Sequence, residues 1–203
     1  MLFYDTIEPG TLGLLRKFQS KEFFKVCRLV GGTSLALQYG HRKSVDLDFF
    51  GSFIAEGLQI REVLKTIGSF QVIQESRFIF QYIVEGVKVD FVNYPYKWID
   101  VELKEDSLCL ATPKDIAAMK LSAITNRGTK KDFIDLYELL GHFTLKEILG
   151  FYQEKYADGV PFLTLKSLTW FEDAEADPMP FMLRDYTWED VKLRILEEVM
   201  RLG

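Results

Sequence analysis

Two aspartates, Asp46 and Asp48, are separated by one residue within the apolar run Val-Asp-Leu-Asp-Phe-Phe at positions 45–50. In a strand, alternate side chains point to the same face, so the two carboxylates would share a face with their Cα atoms roughly 6.5–7 Å apart. Like charges on one strand face repel each other, and Asp is disfavoured in strands. A hard divalent cation such as Mg²⁺, which takes oxygen ligands, would offset that repulsion. The spacing therefore predicts a magnesium site, and two solvated carboxylates at a strand end are the alternative.

Asp90 is the third candidate ligand, because it lies among apolar residues in the run Val-Lys-Val-Asp-Phe-Val at positions 87–92. A carboxylate buried there without a partner would carry a desolvation cost, so a cation is expected beside it. A site with two metal ions needs several oxygen ligands, which predicts that Asp90 joins the other two aspartates as a metal ligand. The alternative is an ion pair of Asp90 with Lys88 or Arg28.

A Gly-Gly-Thr-Ser sequence at positions 31–34 ends one predicted strand and begins a short helix. Backbone N–H groups at such a helix start are unsatisfied and positively polarised, which favours phosphate binding. Gly31 and Gly32 permit close approach of a phosphate, and the hydroxyls of Thr33 and Ser34 can donate to its oxygens. We predict that nucleotide phosphates bind at this turn and that Arg42, in the following polar loop, contacts the nucleotide. A plain tight turn is the alternative.

A second cluster of charged residues is predicted in the later half of the chain. Lys120 and Arg127 are seven residues apart, close to two helical turns, so both can face one groove and neutralise phosphates together with Lys131. Asp132 would orient or deprotonate an acceptor, or hold Lys120, and helix capping is its alternative role. A solvated helix face is the alternative for the cations, and Asp135 is expected to pair only with Lys131.

The elements that must position these residues differ between the two halves of the chain. Hydrophobic patterning predicts strands at 24–30, 45–50, 70–76, 78–85 and 87–93, with helices at 9–20, 34–39 and 57–68. The second half reads as helices beginning at Pro113 and at 129–140, 145–156 and 187–202, with an irregular stretch at 168–185. Thr112 is the predicted N-cap of the first of these helices, and Thr187 with Asp190 forms a predicted capping box at the start of the last. The aromatic residues Trp170 and Phe171 in that stretch are predicted to pack within the helical lobe, with base stacking as the alternative. These patterns predict an α+β chain with an α/β core at 1–108 and a helical lobe at 109–203.

Composition excludes several classes of protein. The net charge of −5 argues against a broad cationic surface for nucleic acid. Cys27 and Cys109 read as unpaired strand cysteines, and two cysteines and two histidines without metal-ligand spacing argue against a zinc site. No run approaches eighteen apolar residues, and the N-terminal residues lack the pattern of a secretory signal. We therefore predict a cytoplasmic protein with no membrane span.

Three sequence strings carry a family resemblance: GGTSLAL, GHRKSVDLDFF and KVDFV. They resemble the minimal nucleotidyltransferase core of DNA polymerase beta-like enzymes. Together with PKDIAAMKLSAITNRGTKKDFIDLYEL and LTWFEDAEADPMP, they are similar to the AbiEii/AbiGii abortive-infection toxin family of prokaryotes, over nearly the whole chain. The resemblance implies a mixed, twisted sheet flanked by helices and followed by a helical lobe, with the active site in the cleft between them.

The resemblance also implies chemistry. Asp46 and Asp48 would bind Mg²⁺, with Mn²⁺ as an alternative ion, and the glycine turn would hold the phosphates of an NTP substrate. A helical-lobe lysine and a downstream aspartate on which the family relies match Lys120 and Asp132. The implied activity is transfer of NMP from an NTP to an acceptor hydroxyl, with RNA (tRNA foremost) as acceptor and a cognate antitoxin as partner.

Three other functions remain open at this point. One is a phosphotransferase that delivers the γ-phosphate to a protein hydroxyl. Another is a non-catalytic module that binds a nucleotide or a partner. The last is a metal-dependent nuclease, for which the glycine turn has no evident use.

Overall fold

The computed structural model describes residues 1–53 and 56–202. The chain divides into two compact units, one formed by Met1–Pro95 with Glu102–Ala111 and the other by Tyr96–Val101 with Thr112–Gly203. The first unit contains a seven-stranded mixed sheet, and the second is helical. The predicted α+β class is confirmed. No helix among the described residues is both long and apolar enough to cross a membrane.

The sheet of the first unit has the strand order β3-β4-β5-β2-β1-β7-β6. Its strands are β1 Cys27–Leu29, β2 Leu47–Gly51, β3 Phe70–Glu75, β4 Ile79–Val84, β5 Val87–Asn93, β6 Leu103–Glu105 and β7 Leu108–Leu110. β2 pairs with β5 in parallel and with β1 in antiparallel orientation. Hairpins join β3 to β4, β4 to β5 and β6 to β7. The parallel pair at the centre of the sheet is the feature that positions the candidate site.

Three helices belong to this unit: α1 Pro9–Ser20, α2 Gly31–Tyr39 and α3 Gly57–Lys65. Along β2, Leu47 and Phe49 are fully buried, whereas Asp48 between them is only partly covered. The ring of Phe49 stacks on that of Phe91 from β5, with centroids 5.4 Å apart, and Phe18 from α1 packs against both. This period-two alternation places the apolar core on one face of β2 and the carboxylate on the other.

The first unit differs from the sequence prediction in three places. The strand expected at 24–30 is confined to β1, because a short 3-10 turn occupies Glu22–Phe24. Helix α2 begins at Gly31, three residues before the predicted start, so both glycines lie in its first turn. The β6–β7 hairpin was not predicted, since its turn residues Asp106 and Ser107 take positive φ angles (51° and 64°) without the glycine or asparagine that signals such a turn.

The second unit contains α4 Pro113–Asn126, α5 Lys130–Leu139, α6 Leu145–Lys155, α7 Pro161–Leu168, α8 Glu172–Glu175 and α9 Trp188–Met200. The predicted N-cap Thr112 accepts a hydrogen bond from the Asp115 amide, and the predicted capping box of Thr187 and Asp190 is present at the start of α9. Helices α7 and α8 were not predicted; both are short, and α8 lies in the stretch expected to be irregular.

A buried ion pair organises this unit. The ammonium of Lys155 lies 2.6 Å from the carboxylate of Asp115, and both side chains are fully buried. The same carboxylate accepts from the amides of Ile99 (3.0 Å) and Asp100 (3.3 Å), and Lys155 also donates to the carbonyl of Lys97 (2.9 Å). The segment Tyr96–Val101 is thereby tied to α4 and α6. This function of Asp115 and Lys155 was not predicted.

Candidate active site

Strand register brings two of the three predicted metal ligands together. Asp48 on β2 is the direct partner of Asp90 on the parallel strand β5, and neighbouring strands lie about 4.8 Å apart. Asp46 immediately precedes β2 and, like Asp48, is partly exposed. The strand predicted at 45–50 begins only at Leu47, so Asp46 lies outside it, and the shared strand face of Asp46 and Asp48 stays a prediction.

Asp90 has an ion-pair partner, as the sequence alternative allowed. Its Oδ2 accepts hydrogen bonds from the ammonium of Lys88 and from the amide of Gln81, each at 2.8 Å. Its Oδ1 is buried and has no hydrogen-bond partner within residues 1–53 and 56–202. Arg28, the other partner considered, pairs with Glu102 at 3.0 Å instead. The carboxylate of Asp90 is thus half satisfied, with one oxygen remaining for a further cation or donor.

The pKa of Lys88 reflects the negative charge at this site. Burial disfavours its charged form, but the hydrogen bond to Asp90 and the negative charges of Asp90, Asp48 and Asp46 outweigh burial and raise the pKa of the ammonium. All three predicted ligands therefore act on the same cation. The side chain of Lys88 is 40% exposed, so this ammonium can adjust when another cation arrives.

The described part of the chain contains no group of three or more His, Cys, Asp or Glu residues close enough to hold a metal ion. Mg²⁺ is usually bound by one or two carboxylates, and water and substrate phosphates supply the other ligands. The joint ligation by Asp46, Asp48 and Asp90 stays a prediction.

Helix α2 starts directly against the carboxylate of Asp48. Gly31 takes a φ of +67°, and a Cβ on this residue would lie 2.6 Å from Asp48 Oδ2. The N-cap residue Val30 provides no side-chain cap, and its amide donates to the Asp48 carbonyl at 2.8 Å. A helix N-terminus is positively polarised, and the negative carboxylate of Asp48 lies against this one. The predicted contact of Gly31 and Gly32 with nucleotide phosphates stays a prediction.

The hydroxyls of Thr33 and Ser34 form hydrogen bonds to other residues of the protein at this site. Both residues are buried. The Thr33 hydroxyl bonds to the Asp46 carbonyl and to the Ser44 hydroxyl (2.8 Å), and the Ser34 hydroxyl accepts from the Gln38 amide at 3.1 Å. Thr33 therefore ties the start of α2 to the residues that lead into β2. Their predicted contact with phosphate remains a prediction.

Arg42 is only 3% exposed, unlike a typical surface arginine in a polar loop. Its guanidinium donates to the carbonyl of Lys43 at 3.0 Å. Its predicted contact with the nucleotide stays a prediction.

In the second unit, Lys120 bridges two buried carboxylates. Its ammonium lies 2.9 Å from Asp132 and 2.6 Å from Asp135, and all three side chains are buried. The carboxylate of Asp132 also accepts from Arg127 Nε (3.2 Å) and from the Thr129 hydroxyl (2.7 Å). The expected pairing of Asp135 with Lys131 is wrong. Asp135 lies on the buried side of α5 and pairs with Lys120 of α4 instead.

The charge of Asp132 is stabilised strongly. Burial alone would raise the pKa of this carboxyl, but the charges of Lys120 and Arg127, with the hydrogen bonds from Thr129 and Lys120, lower it to about 2. Asp132 is therefore an acceptor that holds Lys120, one of the roles foreseen from the sequence. Its predicted catalytic role, and that of Lys120, stay predictions.

The two lysines at the start of α5 behave differently. Lys131, predicted to bind nucleotide, is exposed. Lys130 is buried, and its ammonium donates to the carbonyls of Glu175 (3.1 Å) and Asp177 (2.5 Å). Only Lys131 keeps an accessible ammonium for a phosphate.

The prediction for the aromatic pair at 170–171 holds for one member. Phe171 packs against Phe133 and Trp188, with ring centroids 5.0 and 5.8 Å away. Trp170 is 55% exposed, so it does not pack within the unit as expected. No local signal separates the two adjacent rings.

Comparison with known proteins places these features in a family. A family model described as "Nucleotidyl transferase AbiEii toxin, Type IV TA system" matches residues 13–200. An uncharacterised protein of Aquifex aeolicus (strain VF5) is 33% identical over 171 residues, which cover 81% of this chain and 78% of that protein.

Two crystal structures of Helicobacter pylori proteins share the fold. One protein is provisionally described as a nucleotidyltransferase and has a TM-score of 0.59, with 96% of this chain and 95% of that chain covered. The other, JHP933, also has a TM-score of 0.59, with 97% and 93% covered. Each is 16% identical to this chain, so the likeness shows the fold. The family match and the shared fold confirm the resemblance found in the sequence: the chain belongs to the AbiEii nucleotidyl transferase toxin family of type IV toxin–antitoxin systems.

Proposed function

We propose that the protein is a Mg²⁺-dependent nucleotidyltransferase that transfers NMP from an NTP to an acceptor hydroxyl of RNA, with tRNA as the leading candidate. It would act as the toxin of a toxin–antitoxin pair, controlled by a cognate antitoxin. The observation that carries the proposal is the pairing of Asp48 with Asp90 beside the glycine start of α2. Carboxylates for a cation and a polarised helix start for phosphates meet there within one unit.

The donor set at this site fits Mg²⁺. Asp46 and Asp48 would hold the ion, and the orphaned Oδ1 of Asp90 would be satisfied by it or by its water. When bound, Mg²⁺ or Mn²⁺ would lower the pKa of the acceptor hydroxyl and neutralise charge on the triphosphate. The three carboxylates raise the pKa of the Lys88 ammonium, which supports a site that favours positive charge.

The chain's own groups would position the nucleotide. The amides at the start of α2 would bind phosphate oxygens, and the absence of a side chain at Gly31 leaves the room that the carboxylate of Asp48 occupies against the helix start. The acceptor oxygen forms a bond to the α-phosphorus in line with the bond that breaks, and pyrophosphate leaves while the hydroxyl proton passes to solvent. Buried Thr33 keeps the start of α2 and the aspartate segment in fixed register during this step.

The proposal is tested by incubating the protein with Mg²⁺, cellular RNA and NTP labelled at the α or the γ phosphate. Label from the α position in RNA is the expected result. Label transferred only from the γ position, to protein, would identify a phosphotransferase and overturn the proposal. Nucleotide binding without any transfer would indicate a non-catalytic module.

Asp48→Asn should reduce α-label transfer by at least about 100-fold, because loss of a partner that merely supports a metal ligand already costs 10- to 100-fold. The matched control is Asp158→Asn at an exposed position in the second unit, which should leave transfer unchanged. Full activity in Asp48→Asn would refute its assignment as a metal ligand.

A further inference from the structure

A cavity of about 210 Å³ lies in the second unit, where the end of α4 meets α7 and the residues before α8. The residues in its lining that carry chemistry are Asn126, Arg127, Lys166, Trp170 and Asp173. Among these residues only Arg127 is also a predicted nucleotide-binding residue.

Trp170 differs from the other two tryptophans in having no partner for its indole among the described residues. Trp98 lies under the ammonium of Lys155, 4.6 Å from its ring centroid, and Trp188 donates to Glu175 at 3.0 Å. The indole of Trp170 contacts no other aromatic ring or cation among the described residues and is 55% exposed. An indole exposed at the mouth of a cavity offers a flat apolar surface on which another flat ring can stack.

Two cations share the lining of the cavity with that ring. Lys166 is exposed and forms no ion pair in the part of the chain that the structure describes. The side chain of Arg127 is 66% exposed, and its Nε is held by Asp132 at 3.2 Å, which fixes the direction of the guanidinium. Its positive charge thus lies in the lining of the cavity.

One carboxylate, Asp173, also lines the cavity and would repel a phosphate placed against it. A carboxylate accepts hydrogen bonds readily from the exocyclic amino group of a base, as in contacts between acidic side chains and cytosine. The side chain of Asn126 lies on the same rim. The lining therefore contains hydrogen-bonding groups that suit the edge of a base and cations that suit its phosphate.

We propose that this cavity binds one nucleotide unit of a single-stranded RNA, with the base stacked on Trp170 and its phosphate neutralised by Lys166 and Arg127. The choice of RNA rests on the proposed function. Stacking on aromatic side chains with cations along the backbone is the usual way in which single strands are held. A small local site of this kind also agrees with a chain whose net charge is −5 and which lacks a broad cationic surface.

The test measures binding of a fluorescein-labelled cytidine octamer RNA to the full chain by anisotropy, with EDTA and without NTP. Trp170→Ala should weaken binding by about 10-fold, within the range expected for one stacked base, and Trp170→Phe should restore most of it. Phe162→Ala is the matched control, since Phe162 is 73% exposed on α7 but does not line the cavity. Lys166→Ala should weaken binding and lower the salt slope by about 0.7, whereas Lys146→Ala on α6 should not.

Equal affinity of wild type and Trp170→Ala would overturn the assignment, as would an equal loss in Phe162→Ala. Cytidine monophosphate should compete only at concentrations far above those of the octamer. Competition at equal concentrations would overturn the strand assignment and indicate a site for free nucleotide. Because the assay contains neither NTP nor metal, a failure of transfer chemistry leaves its result intact.

Discussion

A single ammonium holds two buried carboxylates in the second unit. Lys120 contacts Asp132 and Asp135 at 2.9 and 2.6 Å with all three side chains buried. Burial of such a group is tolerated only while the charges are paired, since each unpaired ion would carry a large desolvation cost. The residue selected from the sequence for catalysis is thus also a structural residue, and the two roles must be separated by experiment.

Lys120→Met should destabilise the protein by about 3–5 kcal/mol, because it leaves two carboxylates buried without their common partner. Urea denaturation followed by circular dichroism measures this free energy of unfolding. Lys131→Met, at an exposed position on α5, should change it by less than about 0.5 kcal/mol. A Lys120→Met protein as stable as wild type but inactive in transfer would instead favour a purely catalytic lysine.

Acid should remove the contribution of Asp132. The pKa of this carboxyl is lowered from 3.8 to about 2 in the folded protein, so its stabilising effect is complete above the unfolded value and is lost as the pH falls towards 2. Since one pKa unit corresponds to about 1.4 kcal/mol, the loss should be about 2 kcal/mol. Between pH 5 and pH 2, the free energy of unfolding of Asp132→Asn should fall by about 2 kcal/mol less than that of the wild type. Identical pH dependence of the two proteins would contradict the assignment.

At the scale of single elements, the start of α2 is the most constrained point of the first unit. Gly31 combines a positive φ with a carboxylate oxygen 2.6 Å from the position of a Cβ. A side chain would strain the backbone and displace Asp48 from its place against the helix start. Conformation and site are therefore coupled at one residue.

Gly31→Ala should lower the free energy of unfolding by about 1–3 kcal/mol through backbone strain, with an additional loss of transfer activity as Asp48 moves. The matched control is Gly13→Ala in α1, where a Cβ meets nothing within 4 Å. That substitution should stabilise the protein by about 0.4–1 kcal/mol. Wild-type stability and activity in Gly31→Ala would show that the close approach to Asp48 is not required.

At the scale of the whole molecule, the chain passes between the two units three times, because Tyr96–Val101 belongs to the second unit although it lies between segments of the first. The Lys155–Asp115 pair holds this segment through the amides of Ile99 and Asp100. The segment has no helix or strand of its own, so these contacts replace regular backbone hydrogen bonding.

Lys155→Met should destabilise the second unit by about 3–5 kcal/mol, since Asp115 would keep a buried charge without a cation. Hydrogen exchange at the amides of Ile99 and Asp100 should accelerate more than exchange in the β2–β5 pair. Lys146→Met, exposed on the same helix, serves as the control and should leave exchange unchanged. Unchanged protection of both amides in Lys155→Met would show that the segment is held by other contacts.

Much of this protein could be predicted from local sequence. The α+β class, most helices and strands, and the capping residues Thr112 and Thr187 follow from hydrophobic periods and cap chemistry, which act over a few residues. The aspartate pair and the glycine turn were likewise visible, because same-face spacing and helix-start chemistry are local properties. The family resemblance rested on those same strings and was confirmed by the match over residues 13–200.

Tertiary structure alone decided which groups pair. The parallel register of β2 and β5 placed Asp90 opposite Asp48, and packing of α5 buried Asp135 and Lys130 while leaving Lys131 exposed. The neighbouring rings Trp170 and Phe171 were separated in the same way, one at the mouth of a cavity and one inside the unit. Register and burial depend on contacts between residues far apart in the chain, and no pattern of neighbouring residues encodes them.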